Sequence, residues 1–115
     1  MKYFKDVEFA CPCCGSNLMD SDFLNTVDDF RAELGFALKI SSGYRCPKHN
    51  AAVGGVPNSM HLKGRAVDFA LLWLHPALRP KVLALAPKYF RGIGIGKSLM
   101  HGDNRTKKAT WFYKY

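Results

Sequence analysis

Ser59-Met60-His61-Leu62-Lys63-Gly64-Arg65-Ala66-Val67-Asp68-Phe69-Ala70-Leu71 passes from a polar turn into a regular alternation. From Arg65 to Leu71, Val67, Phe69 and Leu71 share one face of an extended segment, while Ala66, Asp68 and Ala70 share the other. This predicts a strand with an apolar face turned to a core and a carboxylate on the opposite face. His61 stands in the turn that feeds the strand, and a second imidazole follows in Met100-His101-Gly102-Asp103, 33 residues after Asp68.

Upstream, Phe23, Val27, Phe30 and Leu34 recur at spacings of four, three and four and mark one face of a helix over about 22–34, with Asp20 or Ser21 as its cap and Gly35 as its stop. Phe36 to Ser41 alternates as a short strand running into Ser42-Gly43-Tyr44-Arg45, a short helix fits 47–53, and Gly54-Gly55-Val56-Pro57-Asn58 breaks the chain. Downstream, Leu78, Val82, Leu85 and Tyr89 repeat the helical spacing with Pro80 in the first turn. Gly92–Gly96, Ser98–Asp103 and Ala109–Tyr113 read as three short strands. Helices and strands mix without a regular β-α-β alternation. The fold class is therefore α+β: a small, largely antiparallel sheet flanked by helices, with the functional face open as a cleft.

The chain has 115 residues, 48% of them hydrophobic, which suits one compact domain over 1–115 with a cysteine-containing segment at 1–20 and a core at 21–113. A mix of 13% aromatic and 23% charged residues excludes a disordered tail. No apolar run approaches the roughly 20 residues of a membrane span, and Met1 to Glu8 lacks a secretory signal. The expectation is a soluble monomer made in the cytoplasm. The net charge of +8 is unevenly spread: seven of nine acids lie between Asp6 and Glu33, while eleven Lys and Arg face only Asp68 and Asp103 from Lys63 onward. Such a half suits an anionic partner, whether nucleic acid, membrane surface or acidic polymer, or is simply a solvated basic face.

His61, Asp68 and His101 are the residue types of a three-ligand metal site, which leaves one position open for water as hydrolytic zinc requires. On spacing alone the plainer reading stands beside it: two surface or core imidazoles, and Asp68 paired with Arg65 or Lys63.

Four ordered motifs add to this: Ser42-Gly43-Tyr44-Arg45; Asn50-Ala51-Ala52-Val53-Gly54-Gly55; Ser59-x-His61 with Gly64, Arg65, Ala66 and Asp68; and Gly92-Ile93-Gly94 with His101-x-Asp103. Over residues 22–113 they resemble the zinc D-alanyl-D-alanine carboxypeptidase family, which includes VanX dipeptidases and phage endolysin peptidases and shares its fold with the Hedgehog signalling domain. The resemblance implies a catalytic Zn²⁺ held by His61, Asp68 and His101, with Arg45 steadying the substrate and Ser59 contacting it or shaping the turn. It implies a metallopeptidase, a carboxypeptidase or endopeptidase, acting on peptidoglycan stem peptides at bonds involving D-amino acids. Such an enzyme reaches the cell wall after release, as a lysis protein, or is carried in a virion.

One departure bears on mechanism. Family members carry a carboxylate three residues before the last histidine ligand as general base, and here that position is Ser98. Asp103 shares a strand face with His101, so it is either the replacement base or a carboxylate that orients the imidazole. If no base survives, the chain is a non-catalytic zinc-containing wall-binding module. Cys11, Cys13 and Cys14 form a close cluster that suits a second, structural zinc, with Cys46 or His49 completing it; inert thiols or a disulfide are the alternatives. Trp111, Phe112 and Tyr113 among Lys107, Lys108 and Lys114 read as a closing strand rather than a nucleic-acid surface, so no specific nucleic acid is expected. His75 reads as a surface group.

Overall fold

A computed structural model describes residues 1–114, and Tyr115, the end of the 1–115 span expected for the domain, lies outside the described residues. In chain order the elements are α1 (Ser21–Leu34), β1 (Lys39–Ser42), α2 (Pro47–Ala52), β2 (Ala66–Ala70), α3 (Arg79–Tyr89), β3 (Gly92–Ile95), β4 (Leu99–Asp103) and β5 (Ala109–Phe112). Single 3₁₀ turns occupy Asp6–Phe9, Met60–Lys63 and Pro76–Leu78.

Local chemistry accounts for the helix ends. The Asp20 carboxylate accepts a hydrogen bond from the Phe23 N–H at 3.0 Å and caps α1, and Gly35 takes the left-handed conformation that closes it. Phe23, Val27, Phe30 and Leu34 are all buried, as their spacing predicts. They meet Val67, Phe69, Val82, Ala86 and Phe90 in one core between the helices and the sheet. Phe30 is central, its ring 5.5 Å from that of Phe69 and 5.1 Å from that of Phe90.

The five strands form one sheet in the order β1-β2-β4-β3-β5. All pairs are antiparallel except β3–β5, which is parallel. The result is an α+β fold with a mostly antiparallel sheet flanked by helices. Register does more than hold the sheet together: Asp68 on β2 lies opposite His101 on β4, His101 opposite Gly94 on β3, and Gly94 opposite Trp111 on β5. One row across four strands thus carries two of the three candidate ligands.

Two details differ from the sequence expectation. The alternation begins at Phe36, but pairing starts at Lys39, whose partner is Ala70. The last strand spans Ala109–Phe112 rather than running to Tyr113, and Phe112 is exposed. In the cysteine-containing segment at 1–20, Phe4, Phe9 and Cys11 are buried, and Phe4 and Phe9 join the hydrophobic core.

Candidate metal centre and active site

His61 is delivered by a tight turn. The Ser59 hydroxyl accepts from the His61 N–H at 3.2 Å, and Gly64, at φ +69°, ends the turn where a Cβ would run into the Leu18 carbonyl. The ring is buried, with Nδ1 2.7 Å from the Gly43 carbonyl. A carbonyl only accepts, so in the neutral ring Nδ1 carries the proton and Nε2 presents a bare lone pair. That Nε2 is buried without a hydrogen-bond partner, 3.3 Å from Asp68 Oδ1. The approach sets a lone pair against a carboxylate oxygen with no proton between them, which is unfavourable unless a cation lies there.

His101 completes the set from β4. Its Nδ1 is 2.9 Å from Asp68 Oδ1 and its Nε2 2.7 Å from Asp103 Oδ2. The candidate ligand atoms of His61, Asp68 and His101 all lie within 4.8 Å of one another. One carboxylate and two imidazoles, one of them with an orphaned nitrogen, fit a divalent zinc ion. The Nε2–H of His101 would then remain on Asp103, as ligating imidazoles are commonly oriented.

Charge in the cluster follows from these contacts. Burial pushes the Asp68 carboxyl up, but the hydrogen bond with His101 outweighs it and holds the group well below the usual carboxylate range. Asp103, completely buried, is likewise pushed up by burial and pulled further down by His101 and Arg105. The Arg105 guanidinium reaches Asp103 with Nε at 2.9 Å and Nη2 at 2.6 Å, and the Arg105 backbone N–H adds a bond at 3.0 Å. For His101 burial favours the neutral ring, but its two carboxylate partners prevail and raise its pKa above the ordinary histidine value.

Arg45 reaches the same cluster from the segment after β1. Its Nη2 donates to Asp68 Oδ2 at 3.2 Å, its Nε to the Ser42 hydroxyl at 3.2 Å and its Nη1 to Asn50 Oδ1 at 3.4 Å. Three bonds leave two of the five guanidinium N–H donors for other partners. A pocket of about 560 Å³ opens here, lined by Arg45, Ser59, His61, Asp68, His101 and Trp111 among others. Asp68 therefore meets Arg45 and the imidazoles rather than the Arg65 or Lys63 that a plain ion pair would use.

Several contributors were not evident from the sequence. The Trp111 ring lies 5.3 Å from that of His101, with the Arg105 guanidinium 4.4 Å from its own centroid. Gly92 and Gly94 keep β3 flat beneath them: a Cβ on Gly94 would meet Trp111 Nε1 at 2.6 Å, and one on Gly92 would collide with Asp103 Oδ1 and Arg105 Nε. His75 is exposed, as a surface group should be, and its Nδ1 accepts from the Ala77 N–H at 3.1 Å. Of the cysteines, Cys11, Cys14 and Cys46 converge, whereas Cys13 is exposed and outside that group, which corrects the expected trio of Cys11, Cys13 and Cys14. Burial pushes the Cys11 thiol up, but backbone N–H groups of Cys46, Cys14 and Cys13 more than offset this and leave it at about 7.

A strand-borne carboxylate and imidazole joined by a turn-borne imidazole make a group that could hold a metal ion on an α+β sheet. The family model described as Peptidase M15 matches residues 2–101, and the chain belongs to that family, the zinc D-alanyl-D-alanine carboxypeptidase and VanX family. The match begins upstream of the stretch that carries the sequence motifs and takes in the cysteine segment. Among curated proteins no match to the chain is found. Among the described residues no helix is long and apolar enough to cross a membrane.

Proposed function

We propose that this chain is a zinc peptidase that hydrolyses peptidoglycan stem peptides at bonds involving D-amino acids, as a carboxypeptidase or endopeptidase. The observation that carries the reading is the orphaned, buried Nε2 of His61 facing Asp68 and His101 in the pocket of an M15 domain. His61, Asp68 and His101 would hold the ion. When bound, zinc polarises the scissile carbonyl and makes water a competent nucleophile near neutral pH.

The chain's own residues supply the rest. Gly43 fixes the His61 tautomer through its carbonyl. Arg45 is anchored by Ser42, Asn50 and Asp68, and its remaining donors serve a substrate carboxylate or a developing oxyanion. Ser59 stands at the pocket wall, where it shapes the His61 turn and has a lone pair left for substrate. Of the two roles weighed for Asp103, its burial and its bonds to His101 and Arg105 favour the orienting one. Proton transfer to the leaving amine then falls to another group or to solvent, because Ser98 is no base at neutral pH.

The test is mass spectrometry of purified peptidoglycan and of synthetic stem peptides after incubation with zinc-loaded protein, beside Asp68→Ala. New termini that appear only with the unaltered chain identify the bond cut. An intact substrate with a protein that retains its metal would instead favour the non-catalytic wall-binding module, with Ser98 as its explanation.

A further inference from the structure

A second cluster of ligating side chains stands apart from the His61, Asp68 and His101 centre. The sulfurs of Cys11, Cys14 and Cys46 lie within 4.8 Å of one another, although 31 residues separate Cys14 from Cys46. The two arms share a pattern: Cys11-Pro12-Cys13-Cys14-Gly15 spaces its outer thiols as Cys-x₂-Cys, and Cys46-Pro47-Lys48-His49 continues as Cys-x₂-His. Paired arms with this spacing are how a chain encircles a tetrahedral zinc.

The backbone is already arranged for thiolates. The Cys46 N–H donates to Cys11 Sγ at 3.4 Å, and the His49 N–H donates to Cys46 Sγ at 3.4 Å. The first arm is closed on itself by Gly15 N–H to Cys11 carbonyl at 2.7 Å and Cys11 N–H to Ser16 carbonyl at 2.8 Å, with Gly15 at φ +74°. N–H groups aimed at sulfur stabilise negative charge there. A disulfide would use two sulfurs and leave the third, within 4.8 Å of both, without a role.

We propose that Cys11, Cys14 and Cys46 bind a structural zinc ion, with the half-buried imidazole of His49 turning in as the fourth ligand. Each ligating thiol gives its proton to solvent as the metal binds. The site clamps the amino-terminal segment to the segment that carries Gly43 and Arg45. Contacts beside it run the same way: the Tyr44 N–H donates to the Phe9 carbonyl at 2.9 Å, and a Cβ on Gly43 would come within 2.7 Å of Phe9 Cα. Cys46 directly follows Arg45, so the clamp sets the position of the guanidinium over Asp68. Its role is to position the pocket wall and it touches no substrate.

The experiment is metal analysis and cobalt substitution of the full chain purified under reducing conditions. Two metals per chain and a strong near-ultraviolet sulfur-to-cobalt absorption are expected. His61→Ala should lose one metal and keep that absorption, while Cys11→Ser with Cys14→Ser should lose one metal together with the absorption. Cys13→Ser should change neither. His49→Ala should weaken retention of the sulfur-bound metal against a chelator by at least the roughly 10–100-fold that even outer partners of a metal site are worth. One metal without the sulfur band in the unaltered chain overturns the site, as does an intact mass two hydrogens lighter that reveals a disulfide. Unchanged retention in His49→Ala overturns the fourth ligand. None of these readouts depends on peptide cleavage, so the clamp and the peptidase reading fail separately.

Discussion

Asp103 accepts from two sides, from His101 Nε2 and from the Arg105 fork, in a space that Gly92 leaves open for it. Asp103→Ala should therefore lower zinc affinity about 10–100-fold in a chelator competition, because the His101 ring loses the partner that orients it. Full metal retention together with lost hydrolysis would instead assign Asp103 the base role. Gly92→Ala should reproduce the metal defect without touching a ligand, since its methyl displaces the same carboxylate, and should cost about 1–3 kcal/mol of stability by denaturant titration. The three ligand candidates were legible at this scale because chemistry-bearing residue types stood out against a period-two pattern. Arg105, Trp111 and the Gly43 carbonyl were not, since each acts only through a partner set by strand register or by a turn from a distant part of the chain. Cys46 was half legible: its side chain was a candidate, but only the fold chooses it over Cys13.

Helix α1 owes its place to one buried face and its end to Gly35, and a charged contact ties that end to α3. Phe30 packs on Phe69, Tyr89 and Phe90, so Phe30→Ala should cost about 3–5 kcal/mol in chemical denaturation, where an exposed position on the same helix would cost little. At the helix end Glu33 accepts from Lys88 Nζ at 2.6 Å and Tyr89 Oη at 2.5 Å, joining α1 to α3. These bonds hold its carboxyl below the ordinary value. A depressed folded-state pKa means that the contribution is present above the unfolded value of about 4.3 and disappears as pH falls through the folded one. Glu33→Gln should thus flatten the acid limb of a thermal-stability profile while leaving the slope near neutrality unchanged. Helical periodicity made both long helices readable, because burial of one face is written at every third or fourth residue. The parallel β3–β5 pairing was not readable, as alternation encodes which face is buried and says nothing about strand direction. The 3₁₀ turn at Asp6–Phe9 was hidden for a similar reason: Phe4 and Phe9 enter the core as isolated side chains with no period to mark them.

Across the whole molecule the acids are largely committed to structure, which leaves the basic excess in possession of the field. Asp20 caps α1, Asp28 accepts from the Lys2 and Tyr3 N–H groups, Glu33 holds α3, and the last two acids, Asp68 and Asp103, are buried in the candidate metal centre. Part of the positive charge is also engaged: Arg105 on Asp103, Lys88 on Glu33, and Arg79 and Lys81 on backbone carbonyls. The net +8 nevertheless remains, and most of its sources lie after Lys63, the part of the chain that also supplies β3, β4 and β5. A long-range field of this kind acts on a polyanion and hardly at all on a small neutral peptide. If the substrate is carried on an anionic wall, salt should separate approach from chemistry. Retention on purified wall should fall steeply as added salt shortens the screening length from about 10 Å at 0.1 M to about 3 Å at 1 M. Turnover of a soluble, uncharged stem-peptide analogue should stay nearly constant over the same range, because Arg45 and the ligands act at hydrogen-bond distance inside a pocket that screening ions reach poorly. Equal salt sensitivity in the two assays would show that salt acts on turnover itself and would remove the long-range field as the cause of the wall effect. Salt-independent retention on the wall would remove the basic half from recognition and leave it as a solvated face.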